Sequence, residues 1–302
     1  MPSISLIKPE IQEVVLPEFS NYGVNLKILR LDQMHKDLGG NKWFKLKYSI
    51  EEISSLQDCV VLSFGGPYSN HLRALSAAGK CFSFKTIGIV RGEIVRPLNP
   101  VLEFAETNGM SLYGVSRHDY RLKNSEKFVS ELRDRFGNFV LLPEGGSTQK
   151  ALLGCKEICG FIDPKAKARF RYIALACGTG ITLAGIALGA NSFQNTKILG
   201  VSILNAPGYL SGQIQTFVHD HQQNVLNSEF AAWSMLENYH FGGYAKSSPD
   251  LLKFSEGFTD STGVPLEPVY TGKLFYALAK EVERGSISSG DEILAIHTGG
   301  IY

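Results

Sequence analysis

The chain has 302 residues, with 30 Lys+Arg against 29 Asp+Glu and a formal charge of +1, and 44% of it is hydrophobic. That is enough for one large α/β domain or two smaller lobes with a true core, and the charge balance excludes a general nucleic-acid or anionic-membrane binder. The 31 glycines exceed the ordinary share of about 7%; without period or low-complexity tract, they exclude collagen and disorder and point to several tight, backbone-lined loops.

Along the chain, short β-rich runs alternate with longer helical patterns. Residues 24–31 read as a strand, 59–64 as the next, and a helix starts near Ser69. Strand 86–90, helix 100–108, the amphipathic helix 125–136 and strand 139–142 follow. Then come helix 150–159, strand 172–176, helix 183–189 and strand 198–203, and finally helices 249–262 and 272–284 and strand 292–297. Alternation of this kind predicts mostly parallel sheets covered by helices on both faces. No repeat and no Pro-, Ser- or Gly-rich linker interrupts it. Residues 172–196 carry no charge, yet Gly178, Thr179, Gly180 and Thr182 break the run into strand, loop and helix, which is not a membrane span. Five dispersed cysteines (Cys59, Cys81, Cys155, Cys159, Cys177) read as free thiols in a reducing cytosol. The opening residues hold no long apolar run, so a cytoplasmic location is expected. His219-Asp220-His221 is the one close histidine pair; with no third ligand at metal spacing it predicts a solvated segment and no metal.

Parallel sheets bind ligands beyond the carboxyl ends of their strands, and glycine pairs cluster there: Gly65-Gly66, Gly145-Gly146, Gly178-Thr179-Gly180 and Gly299-Gly300. Any one could be an ordinary turn; four suggest a composite pocket. In Gly178-Thr179-Gly180-Ile181-Thr182, backbone N–H groups at a helix N-terminus plus two hydroxyls make a phosphate cup. Leu183 replaces the last glycine of a dinucleotide fingerprint, and no Gly-Lys-Ser/Thr follows to make a P-loop. The loop holds no basic residue, so neutral donors are expected to hold a phosphate monoester. In Gly39-Gly40-Asn41-Lys42, a lysine at a helix start could form a Schiff base with a carbonyl, or Asn41 could be a cap and Lys42 a solvated charge. Ser69-Asn70-His71 offers hydroxyl, amide and imidazole at another helix start. In Glu267-Pro268-Val269-Tyr270-Thr271-Gly272-Lys273, Thr271 is placed to cap the last long helix, and Tyr270 is either a buried aromatic or an acid/base over a ligand.

These segments, with Pro143-Glu144-Gly145-Gly146-Ser147, occur in an order that resembles the pyridoxal-phosphate enzymes of tryptophan-synthase-β-like fold. More narrowly, they resemble the 1-aminocyclopropane-1-carboxylate deaminase/D-cysteine desulfhydrase family, over about residues 31–300. The resemblance implies an α/β fold of type II, with two lobes of three-layer open parallel sheets: a large cofactor-binding lobe of residues 1–46 and 156–302, and a small lobe of 47–155. It implies pyridoxal 5′-phosphate on Lys42, with Asn70 at the ring oxygen, Gly178, Thr179, Gly180, Ile181 and Thr182 at the phosphate, and Thr271 at the pyridine nitrogen. Ser69, Asn70, His71 and Thr298 would bind a small amino-acid substrate, with Lys42, Ser69, Tyr244 and Tyr270 catalytic, in a homodimer. Phe44 stands where many members carry a basic residue, so contacts near Lys42 are expected to differ.

Deaminases of that family resemble one another in a glutamate after the second tyrosine and a leucine before the final glycine pair. Thr271 and Thr298 stand here instead, the desulfhydrase pattern. A carboxylate beside the pyridine nitrogen keeps it protonated and strengthens the electron sink; a hydroxyl at a helix N-terminus favours a neutral ring. The expected reaction is therefore α,β-elimination from D-cysteine to pyruvate, ammonia and sulfide. Ring opening of 1-aminocyclopropane-1-carboxylate to 2-oxobutanoate is the alternative, and a non-catalytic cofactor- or amino-acid-binding protein a second.

Overall fold

The computed structural model describes residues 4–301 apart from 164, 166 and 168; the ends of the predicted large lobe, residues 1–3 and 302, lie outside the described residues. The chain opens with β1 (Ile11–Val14), α1 (Pro17–Ser20), β2 (Asn25–Arg30) and α2 (Gly40–Ile53). A second stretch holds β3 (Val60–Gly65), α3 (Asn70–Phe82), β4 (Lys85–Arg91), α4 (Pro100–Thr107), β5 (Met110–Val115), α5 (Arg117–Arg121), α6 (Glu126–Phe136) and β6 (Val140–Leu142). The third runs α7 (Gln149–Lys156), β7 (Tyr172–Cys177), α8 (Ile181–Gly189), β8 (Lys197–Ser202), α9 (Tyr209–Asn224), β9 (Trp233–Leu236), α10 (Pro249–Thr262), α11 (Thr271–Glu283) and β10 (Glu292–His297).

The strands form two sheets, six-stranded in the order β1-β2-β10-β7-β8-β9 and four-stranded in the order β5-β4-β3-β6. Every pairing is parallel except β1 with β2. Central parallel strands are buried on both faces, so they read as continuous apolar runs: all six residues of β10 are buried, as are the last five of β7. Alternate residues feed opposite layers. In the larger sheet Ile173 and Leu175 pack beneath α7, α8 and α9, while Ala174, Val201 and Ile293 pack against α10 and α11. In the smaller, Val61 and Val90 meet α2, α3 and α4, and Leu62, Phe64 and Ile89 meet α5 and α6. Each sheet is thus the middle of an α/β/α sandwich, the type II arrangement, and each fully buried Leu or Ile contributes roughly 1.5–3 kcal/mol.

Local chemistry sets the helix starts. The side chains of Ser69, Asn99, Ser125, Thr148 and Ser248 accept first-turn N–H groups of α3, α4, α6, α7 and α10, as capping residues do. One helix joins the two sheets: Phe44 of α2 packs in the core of the larger, and Leu46, Ile50 and Ile53 in that of the smaller. The chain therefore passes between sheets along a rigid element rather than a tether. Helix 150–159 is divided, with α7 ending at Lys156 and a 3-10 turn covering Glu157–Phe161. Six elements were not expected from the sequence: β1, α1, β5, α5, β9 and α9. Helix α9 carries His219 and His221, and His221 is buried with its ring edge-on to Phe230, not solvated. Among the described residues no three His, Cys, Asp or Glu side chains are arranged to hold a metal ion.

Candidate active site

Between the two sheets lies a cavity of about 620 Å³, bounded by the loops after β3, β6, β7, β8 and β10 and by Arg91 at the end of β4. These are carboxyl-end loops, where parallel sheets leave a crevice. Lys42, Ser69, Asn70, His71, Gly178, Thr179, Gly180, Thr182, Tyr244, Tyr270 and Thr298 all line it. Ile181 and Thr271 do not: Ile181 packs its side chain in the core and leaves the helix N-terminus to its backbone, and Thr271 is fully buried behind Tyr270.

Lys42 enters on the first turn of α2. The turn is possible because Gly40 adopts φ +66°, and a Cβ there would stand 2.2 Å from the Thr298 carbonyl oxygen. That carbonyl accepts the Asn41 N–H at 3.2 Å, tying the Thr298-Gly299-Gly300 loop to the start of α2. Asn41 is not the cap; Gly39 holds that position and Asn41 lies inside the helix. Lys42 Nζ donates to Asn41 Oδ1 at 2.9 Å, and Asn41 Nδ2 donates to Thr182 Oγ1 at 3.1 Å. Burial, and then the nearby charge of Lys45, pull the Lys42 amine from 10.5 down to about 7. A neutral, nucleophilic amine is therefore well populated at physiological pH.

Across from it, Gly180 opens α8 with φ +81°, and a Cβ would meet Ile214 at 2.7 Å, so the loop passes where only glycine fits. The expectation of neutral donors alone is corrected here. Lys45, one turn beyond Lys42, donates from Nζ to Thr179 Oγ1 at 3.2 Å and to the Gly145 carbonyl at 3.2 Å, and Ser147 Oγ donates to Thr179 Oγ1 at 2.8 Å. The basic group comes from α2, not from the loop. Phe44, by contrast, points away into the core, edge-on to Phe161.

Ser69 caps α3, its Oγ accepting the Leu72 N–H at 3.2 Å, and Asn70 faces the Gly300 backbone closely enough that a Cβ there would stand 2.5 Å from Nδ2. Ser63 Oγ donates to the Leu142 carbonyl at 2.8 Å and so accepts from His71 Nε2, also at 2.8 Å. This leaves His71 Nδ1 a bare acceptor, buried with no hydrogen-bond partner among the described residues. Burial and the charges of Lys42 and Lys45 push the imidazole down to about 3. Tyr244 donates from its hydroxyl to the Tyr68 carbonyl at 3.0 Å and stacks edge-on with Tyr270, ring centres 6.2 Å apart; burial raises its phenol above the ordinary value. Its loop is pinned by the fully buried Lys273, whose Nζ donates to the His240 and Gly243 carbonyls at 2.9 and 2.8 Å.

Thr271 does not cap α11. Its N–H and those of Val269 and Tyr270 are accepted by the Glu267 carboxylate at 2.7 to 2.8 Å, and its hydroxyl donates to Glu267 Oε1 at 3.2 Å. Sequence reading passed over Glu267, Lys45, Lys273 and Ser63; only the carboxylate preceding Pro268 carried a local signal.

A lowered lysine, a glycine cup at a helix N-terminus and a second ammonium on that cup fit an aldehyde that bears a phosphate. The family model described as pyridoxal-phosphate dependent enzyme matches residues 14–299. The chain belongs to the pyridoxal-phosphate-dependent enzyme family. A Pyrococcus horikoshii protein, provisionally named a 1-aminocyclopropane-1-carboxylate deaminase, is 28% identical over 99% of this chain and 92% of its own length. An Arabidopsis thaliana protein named as a bifunctional, mitochondrial D-cysteine desulfhydrase/1-aminocyclopropane-1-carboxylate deaminase is 29% identical over 95% of this chain and 74% of its own. The crystal structure of an ACC deaminase homologue superposes with a TM-score of 0.85 at 26% identity, covering 99% of this chain and 91% of that one. As a pyridoxal-phosphate enzyme, the chain takes pyridoxal 5′-phosphate as its cofactor. The donor set fits this group: Lys42 for the aldehyde carbon, and the Gly178–Thr182 backbone, Thr179, Thr182 and Lys45 for the phosphate. Among the described residues no helix is long and apolar enough to cross a membrane.

Proposed function

We propose that this enzyme catalyses α,β-elimination on a small amino acid, D-cysteine, giving pyruvate, ammonia and sulfide in the cytoplasm, as a homodimer. Bound pyridoxal phosphate would supply the electron sink that acidifies the substrate Cα–H. The chain's own groups supply the rest. Lys42, its amine lowered to about 7, would hold the cofactor through its aldehyde carbon and would take the substrate's Cα proton. The N-terminus of α3, with Ser69 and Asn70, is a site for the substrate carboxylate, and Asn70 would also hold the cofactor ring oxygen. Tyr244 and Tyr270, with Tyr244 kept protonated, orient the departing thiol, and His71 and Thr298 complete the substrate wall.

The observation that carries this reading is the entrance to α11. No carboxylate from it lines the cavity: Thr271 stands at the helix start, and Glu267 spends its charge on three backbone N–H groups. A ring nitrogen placed at that corner would find no cavity-lining carboxylate to keep it protonated, which favours its neutral form. A neutral ring suffices where a good β leaving group departs soon after proton loss. Ring opening of 1-aminocyclopropane-1-carboxylate is the second reading, supported by the names of the two relatives above. Side-by-side turnover separates them. We expect sulfide and pyruvate from D-cysteine in excess of 2-oxobutanoate from the cyclopropane, and the reverse ratio overturns the proposal.

A further inference from the structure

A second cavity of about 430 Å³ adjoins the first and is lined by Arg91, Arg117, Tyr120, Arg121, Lys123 and Glu144. Arg91, Lys123 and Glu144 line both cavities, so these side chains form the wall that the two share. Arg91 ends β4. Its guanidinium carbon lies 5.7 Å from the Tyr120 ring centre and 5.9 Å from that of Tyr244, and Nη2 would be 3.6 Å from a Cβ on Gly66. It thus stands at the wall of the proposed elimination site, beside the glycine pair that precedes Ser69. Arg117 and Arg121 project from one face of α5, four residues apart. Glu144 is already committed, to the Tyr120 hydroxyl at 2.8 Å and to Lys123 at 3.4 Å. Arg91, Arg117 and Arg121 form no ion pair and no side-chain hydrogen bond among the described residues. Four cations against one engaged carboxylate repel one another until an anion enters, and guanidinium forks are matched to planar or tetrahedral oxyanions.

We infer that the preferred substrates carry a second anion on the β-carbon, a sulfonate or phosphate group, which enters this pocket and is read by Arg91, Arg117 and Arg121. The inference rests on the elimination reading and extends it, with D-cysteine as the minimal substrate. The balance is the same. The Cα proton goes to the base, the bond from Cβ to the substituent breaks with its electron pair leaving on the oxyanion, and water replaces the amino group. Pyruvate, ammonia and sulfite or phosphate result, with no external oxidant or reductant.

The test uses the cofactor-loaded enzyme with both enantiomers of cysteate and O-phosphoserine against two uncharged substrates, D-cysteine and β-chloroalanine. The expected result is a kcat/KM about 10-fold or more higher for the anionic substrates, falling with added salt. The double variant Arg117→Gln/Arg121→Gln, which alters only the second cavity, should lose about 10- to 100-fold on anionic substrates and little on the uncharged pair. Equal loss on both sets, or no anionic preference, overturns the inference. Independently of turnover, inorganic sulfate should raise the melting temperature of the wild type but not of the double variant, and should compete with the anionic substrates. Sulfate that binds without competing assigns the pocket to a separate anion and also overturns it. Failure to turn over any of the compounds, with sulfate binding intact, counts against the elimination reading instead.

Discussion

Lys45 lies one helical turn beyond Lys42, and its ammonium sits on Thr179 and the Gly145 carbonyl (3.2 Å each) while its charge helps hold the Lys42 amine near 7. One residue so serves two ends of the site, a cation for the phosphate cup and a proton repellent for the nucleophile.

Lys45→Gln should therefore do two measurable things. Covalent uptake of pyridoxal phosphate by the apoprotein, followed at different pH values, should show its midpoint shifted upward from about 7, because a like charge has gone. Cofactor retention should weaken by about 10-fold or more, the scale of one charged hydrogen bond. An unchanged midpoint would falsify the coupling. Lys42→Ala should leave nothing for borohydride to fix.

The lowered Lys42 also sets a pH dependence of apoprotein stability. Above about 7 the folded amine is neutral while the unfolded lysine stays protonated up to about 10.5, so stability rises with pH across that window. Lys42→Met removes the penalty. Its melting temperature should exceed that of wild-type apoprotein most at pH 7 and below, and the gap should close toward pH 10. A gap that widens with pH contradicts the assignment.

His71 should stay neutral across the whole working range, with its proton on Nε2 facing Ser63. Nitrogen NMR of ring-labelled protein should show one unchanged tautomer from pH 8 to pH 5. Ser63→Ala leaves Nε2 unsatisfied in a buried place and should cost about 1–3 kcal/mol, read as a lower urea midpoint.

Lys273 acts on Tyr244 at a distance, by fixing the backbone at His240 and Gly243. Lys273→Met should lose about 2–4 kcal/mol of stability, since two carbonyls lose charged donors. It should also raise KM more than it lowers kcat, because the tyrosine remains but its loop loosens. Equal kcat loss with KM unchanged would point to a direct role.

Much of the layout was legible in the sequence because parallel sheets write their strands as apolar runs and place their glycine loops at one end. Helix α10 and strand β10 match their predicted bounds, and the glycine pairs do meet at one cavity. The missed strands β1, β5 and β9 have four to six residues with mixed exposure, too little pattern to separate from loop. Helix α9 is polar over most of its surface and buries only Leu210, Ile214 and His221, a stripe too thin to stand out. Thr271 was read as a cap from its position, but a longer carboxylate four residues earlier reaches the same N–H groups first.

The glycine excess that marks this chain had one meaning by composition alone: close approaches of backbone to something. Sequence order determined the family and the cofactor, because local motifs carry the backbone geometry a phosphate needs. Tertiary structure decided the electrostatics. Lys45, Glu267, Lys273 and Arg91 are unremarkable charges along the chain, and only burial and through-space neighbours determine which one meets a phosphate, a helix end, a carbonyl pair or an open anion pocket.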